Sequence, residues 1–111
     1  MATCDELRAN LANLQQQLSN YQSAELNYST SVALLKVQIL SQDPGAPVPL
    51  DASSAAARMA YLATNGGSGT LISMYGMLLG YLAMLTSIQA AISVTQASIG
   101  SVQAQMQAGG C

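Results

Sequence analysis

Apolar residues at the start of the chain recur in alternating steps of three and four. The positions that share this spacing are Leu7, Leu11, Leu14, Leu18, Tyr21, Tyr28, Val32, Leu35 and Ile39. This spacing is typical of a coiled-coil seam, the stripe by which one helix packs against another. Thr3 and Glu6 fit a capping box. The pattern therefore predicts a helix over residues 3–41.

One position of this first seam is polar. Glu25 stands where the spacing calls for an apolar residue. A carboxylate in a seam can fix the register or the oligomeric state. Alternatively, Glu25 lies at the edge of the seam and reaches solvent. We therefore interpret Glu25 as a polar seam residue, with both roles open.

The end of the chain repeats the same spacing. The seam positions are Leu71, Met74, Leu78, Tyr81, Leu85, Ile88, Ile92, Thr95, Ile99, Val102 and Met106. Gly109 and Gly110 follow and are suited to end a helix. The pattern predicts a second long helix over residues 70–108, with Thr95 as its one polar seam position.

The segment between the two seams contains all three prolines, within residues 42–50. Proline lacks an amide donor and fixes its own φ, which predicts a stiff, non-helical connection. Asp51 is a plausible N-cap for a short helix over residues 52–63. A glycine-rich turn over 65–69 separates it from the last helix. We predict an all-α fold, a single helical domain over residues 1–111 built as an antiparallel hairpin of two long helices.

The two cysteines, Cys4 and Cys111, stand at opposite ends of the sequence. An antiparallel hairpin brings both to its open end, where a disulfide within the chain would act as a clasp. A disulfide between neighbouring subunits and two free thiols are the alternatives. The sequence leaves all three open.

Charge is scarce throughout the chain. Charged residues make up 7% of the sequence, the net charge is -2, and histidine is absent; an ordinary soluble protein has about 25% charged residues. With three cations there is no patch suited to phosphates, so we expect no nucleic-acid partner. Without histidine there is no imidazole base or imidazole metal ligand.

The acidic residues do not form a pattern typical of an active site. Asp5 and Glu6 suit the first turn of a helix, Asp51 a cap, and Asp43 a turn before Pro44. None forms a pair suited to general acid–base catalysis. We therefore expect no enzyme activity, no catalytic residue, no cofactor, no metal site and no small-molecule substrate.

Apolar residues also lie outside the seams, more than a two-helix hairpin can cover. On the last helix they are Ile72, Met77, Leu79 and Leu82. Large exposed apolar surfaces usually mark a partner-binding face. We therefore predict a self-assembly face at these residues and a structural role, as a subunit of a homo-oligomeric filament, tube or virion-associated assembly. The opening residues lack the pattern of a signal peptide, and an extracellular or virion-associated location is favoured.

Two other functions remain open at this stage. Residues 70–94 carry no charge and are long enough to span a bilayer. Gly76 and Gly80 have the small-residue spacing of close helix packing, in a membrane or in a protein core. The alternatives are therefore a membrane-inserting hairpin with lipid contact, of pore-forming, lysis or pilin-like type, and a soluble helical adaptor.

Overall fold

Three helices make up the fold. The computed structural model describes residues 3–111, with α1 at Cys4–Gln42, α2 at Ala52–Thr64 and α3 at Gly69–Ala108. The two long helices pack together as a helical hairpin, with the short helix between them in the chain. The predicted all-α hairpin is therefore confirmed. Met1 and Ala2, which belong to the predicted domain over 1–111, lie outside the described residues.

Side chains cap the helices where the sequence predicts. The Thr3 hydroxyl accepts a hydrogen bond from the Glu6 amide at 3.1 Å. The Asp51 carboxylate accepts one from the Ser54 amide at 2.8 Å, which satisfies a free donor at the start of α2. These bonds place the beginnings of α1 and α2 within one residue of the predicted positions.

The described chain divides into two compact units. Unit 1 comprises the described residues up to Leu26 together with Ser87–Cys111, and unit 2 comprises Asn27–Thr86. Unit 1 therefore contains the first part of α1 and the last part of α3. Unit 2 contains the rest of both long helices, the proline-rich connection and α2.

Unit 2 has a contiguous apolar core to which all three helices contribute. Its buried members are Val32, Leu35, Ile39, Leu50, Ala55, Leu62, Leu71, Met74, Tyr75 and Leu78. We call this set the core cluster. Most of its members from the long helices occupy predicted seam positions. Ala55 and Leu62 come from α2, which therefore completes the core of this unit.

Unit 1 is built from the two seams alone. Leu7, Ile88 and Val102 are its buried apolar residues, and the other seam leucines and isoleucines are half-buried. Thr95 is also buried, and its hydroxyl donates a hydrogen bond to the Ala91 carbonyl at 2.8 Å. This bond explains how a polar residue occupies the seam. Tyr21 differs from the expectation, since it is 36% exposed.

The connection before α2 contains a residue in an unusual backbone conformation. Leu50 has a φ of 61° and is only 1% exposed. The left-handed conformation costs a side-chain-bearing residue about 1–2 kcal/mol. Burial in the core cluster offsets this cost, and the Leu50 amide also donates to the Pro47 carbonyl at 2.8 Å. The preceding Val48–Pro49 peptide bond is cis.

Candidate functional sites

A buried ion pair joins the connection to α2 and α3 within unit 2. The Arg58 guanidinium donates two hydrogen bonds to the Asp43 carboxylate, from Nε at 2.9 Å and from Nη2 at 2.8 Å. The Tyr75 hydroxyl donates to the same carboxylate at 2.8 Å, and the Gly45 amide donates at 3.1 Å. Asp43 is 4% exposed and Tyr75 is fully buried. We call these three side chains the Asp43 cluster.

The surroundings of Asp43 favour its ionised form. The hydrogen bonds from Arg58 lower the pKa of Asp43 to about 2, against the opposing effect of burial, with further help from Tyr75 and the Arg58 charge. Burial raises the pKa of Tyr75 to about 12, and its bond to Asp43 acts in the same direction. Both groups therefore keep fixed protonation states over the physiological pH range.

These properties suit a structural role for the Asp43 cluster. Four donors already occupy the carboxylate, and a carboxylate with so low a pKa is a weak general base. The cluster instead fixes α2 against the start of α3. Arg58 also stacks over the Tyr61 ring, with its Cζ 5.0 Å from the ring centroid.

The sequence pattern indicates a turn residue at Asp43 but does not reveal the partners of its carboxylate. The residue does lie in the turn after α1, where its carboxylate accepts the Gly45 amide. The contact with Arg58 spans fifteen positions and the contact with Tyr75 spans thirty-two. The one available signal is that Arg58 is the only charged residue of the short helix.

Large apolar side chains are exposed on both long helices. The non-aromatic ones that lie on α1 or α3 are Leu26, Leu34, Val37, Leu40, Met77, Met84 and Val94, each at least 44% exposed. In unit 2, Leu34 and Met77 line the same shallow groove, whose volume is about 190 Å³. The other residues that line it are Ser31, Leu35, Gln38 and Tyr81. We call this feature the α1–α3 groove; none of its residues carries a charge.

The predicted self-assembly face divides between two environments. Met77 is 51% exposed and lines the α1–α3 groove. Ile72, Leu79 and Leu82 are half-buried and pack against the core cluster. They lie outside the seam as expected, but their contact with the core cluster covers part of their surface. Of the four predicted residues, Met77 therefore offers the most accessible surface.

The two glycines of the predicted close-packing motif also differ. A Cβ atom at Gly76 would lie 3.9 Å from the Met59 sulfur of α2, an ordinary van der Waals distance. A Cβ atom at Gly80 would meet nothing within 4 Å. Gly76 therefore faces α2, and neither glycine mediates a close backbone contact. Glu25, the predicted polar seam residue, lies in α1 and is half-buried.

The cysteines form an intrachain disulfide in unit 1. Cys4 and Cys111 are paired, with their Cα atoms 5.8 Å apart across a sequence separation of 107. This pairing is the intrachain alternative among the three that the sequence leaves open. It links the first residue of α1 to the last residue of the chain.

The glycines before Cys111 form a defined cap. Gly110 has a φ of 73°, its amide donates to the Gln107 carbonyl at 3.2 Å, and the Cys111 amide donates to Met106 at 2.8 Å. These are the bonds of a Schellman motif. The glycines therefore turn Cys111 back towards α3, which positions its sulfur for the bond to Cys4.

A cavity lies beside the disulfide. Its volume is about 630 Å³, and its walls are formed by Thr3, Cys4, Leu7, Gln105, Ala108, Gly109 and Cys111. No charged side chain lines it. The disulfide itself is therefore the most reactive group at this cavity.

One helix has the length and composition of a membrane span. The most apolar 18-residue window of α3 has a mean hydropathy of 1.7, and 11% of that window is buried. Core helices of soluble proteins reach the same hydropathy but are mostly buried. The low burial leaves much of this window available to a partner or to lipid.

Comparisons of the chain with protein-family models, with characterised proteins and with solved structures found no match. Functional inference therefore rests on the residues of the chain itself.

Proposed function

We propose that this protein is a structural subunit that associates with copies of itself into a filament, tube or other homo-oligomeric assembly. The supporting observation is the exposure of large apolar side chains on both long helices. Leu34 is 62% exposed, Val37 is 64% exposed and Met77 is 51% exposed. Contact with other subunits would bury these side chains and remove their apolar area from water, which favours association.

The charge distribution supports the same proposal. No charged residue follows Arg58, so the whole of α3 is neutral. A helix face that remains in water usually carries lysine and glutamate at four-residue spacing. The polar residues of α3 are glutamine, serine and threonine, which are buried at lower cost than charges when they find hydrogen bonds. A neutral helix of this kind suits an assembly in which most faces are covered.

Charged substitutions in the α1–α3 groove test the proposal. We expect Leu34→Lys and Met77→Lys each to abolish large particles in light scattering and negative-stain electron microscopy, because an assembled groove would have to bury the ammonium group. Far-UV circular dichroism should remain unchanged, since both side chains are exposed. The matched control is Val48→Lys, at an exposed apolar residue of the connection. Assembly that survives both groove substitutions would contradict the proposed surface.

Membrane insertion is the second candidate, and the low burial of the apolar window in α3 supports it. The small-residue pair Gly76 and Gly80 lies on this helix. Under this alternative the purified protein would float with liposomes and form ordered particles only when lipid is present. Ordered particles in detergent-free buffer, with no association to liposomes, would exclude it.

A further inference from the structure

We propose that the Cys4–Cys111 disulfide is a thiol-exchange site. Its reduction by a dithiol allows unit 1 to unfold while unit 2 stays folded. The proposal does not depend on self-assembly. It rests on three properties of the disulfide: its accessibility, the position of each sulfur relative to α1, and the unequal cores of the two units.

The first property is accessibility. Cys111 is exposed and Cys4 is half-buried. Both line the cavity of about 630 Å³ at this end of unit 1, and cavities of about 300–1,000 Å³ accommodate small ligands. A thiolate can therefore approach the Cys111 sulfur without prior unfolding of the chain.

The second property is the leaving group. Attack on the Cys111 sulfur releases Cys4 as a thiolate in the first turn of α1, where the free amides and the helix dipole favour negative charge. Asp5 and Glu6 lie in the same turn and oppose this effect, but Arg8 pairs with Asp5 at 3.0 Å. A better-stabilised thiolate leaves faster, which directs attack to Cys111.

The exchange balances as a two-electron reduction. A thiolate of the dithiol bonds to the Cys111 sulfur, and the S–S bond breaks with its electron pair on Cys4. The second thiol of the reductant then loses its proton and attacks the reductant's first sulfur, which is bonded to Cys111 in the mixed disulfide. This attack releases Cys111 as a thiolate. The reductant leaves as a cyclic disulfide, and the two cysteines take up protons to become thiols.

The third property is the difference between the cores. Unit 2 contains the core cluster, the third helix and the Asp43 cluster. Unit 1 has two helical segments, and its buried apolar residues, Leu7, Ile88 and Val102, each remain 6–8% exposed, whereas Tyr75, Ile39, Leu50 and Leu78 of unit 2 are at most 1% exposed. Removal of the disulfide therefore affects unit 1 far more than unit 2.

Hydrogen exchange followed by mass spectrometry tests this difference. The full chain is compared oxidised and after treatment with dithiothreitol. While unit 2 stays folded, the disulfide closes a loop of about 48 residues, 4–26 and 87–111, and the chain-entropy model predicts that opening this loop lowers protection about a thousandfold. We expect this loss in peptides from unit 1 and less than a tenfold change in unit 2. Equal losses in both units, or no loss in unit 1, would overturn the proposal.

Two further measurements complete the test. The Cys4→Ser/Cys111→Ser variant should show the exchange pattern of the reduced protein whether or not dithiothreitol is present. Brief exposure of the oxidised protein to glutathione should place the mixed disulfide on Cys111. A mixed disulfide mainly on Cys4 would overturn the assigned direction of attack. Reduction that proceeds only in denaturant would overturn the site itself, and this result needs no variant to fold.

Discussion

Replacement of Asp43 by asparagine removes the negative charge of the Asp43 cluster and keeps the side chain at nearly the same size, while the Arg58 charge remains. The carboxylate has a pKa of about 2, against an ordinary value of 3.8. This difference corresponds to a stabilisation of about 2 kcal/mol at neutral pH. The Arg58 side chain is 24% exposed, so we expect solvent screening to reduce the loss in Asp43→Asn to about 1–2 kcal/mol.

The pH dependence gives this prediction its specific signature. Because the folded pKa of Asp43 lies below the unfolded value, the stabilisation is complete above about pH 4 and is lost as the pH falls through about 2. The wild type and Asp43→Asn share every other carboxyl group. The difference in unfolding free energy between the two proteins should therefore shrink between pH 6 and pH 2.

The assay is urea unfolding of the oxidised protein, followed by far-UV circular dichroism at each pH. The matched control is Asp5→Asn, which breaks an ion pair whose Asp5 side chain is 93% exposed. Because exposed ion pairs contribute little to stability, we expect Asp5→Asn to lower the free energy of unfolding by less than Asp43→Asn does. The reasoning is refuted if Asp43→Asn lies within about 0.5 kcal/mol of the wild type at pH 6, or if the difference persists at pH 2.

Three further predictions concern Tyr75, the cap residue Gly110 and the α3 residue Gly100. Tyr75 should ionise at about pH 12 in an absorbance titration. Because its folded pKa is raised, its contribution to stability is present below pH 10 and lost as the pH rises towards 12, and Tyr75→Phe should remove both effects. Gly110→Ala should destabilise unit 1 by about 1 kcal/mol in thermal unfolding, because Gly110 has a positive φ. Gly100→Ala, at an open position inside α3, should instead stabilise it by about 0.5–1 kcal/mol. The opposite order of these two alanine variants would contradict the role of the C-terminal cap.

The helices could be predicted because their signals are local. The seam residues recur at fixed spacing, and Thr3 and Asp51 mark helix starts by bonds to amides three residues away. The chain order of two long helices around a proline-rich connection then determines the hairpin. The hairpin brings Cys4 and Cys111 to the same end of the fold. The sequence therefore allows an intrachain disulfide, beside an intersubunit disulfide and free thiols.

The contacts of unit 2 could not be predicted in the same way. Asp43 contacts Arg58 of α2 and Tyr75 of α3 through tertiary packing, and no periodicity encodes that placement. Leu79 is a second case, since the spacing places it outside the seam. The spacing alone does not show that the core cluster contacts this side chain.

The most direct test of the central claim is negative-stain electron microscopy of the purified oxidised protein in detergent-free buffer, with light scattering on the same sample. Self-assembly predicts regular fibres, tubes or closed particles that disappear in Met77→Lys and persist in Val48→Lys. A monodisperse monomer at high protein concentration would contradict the claim.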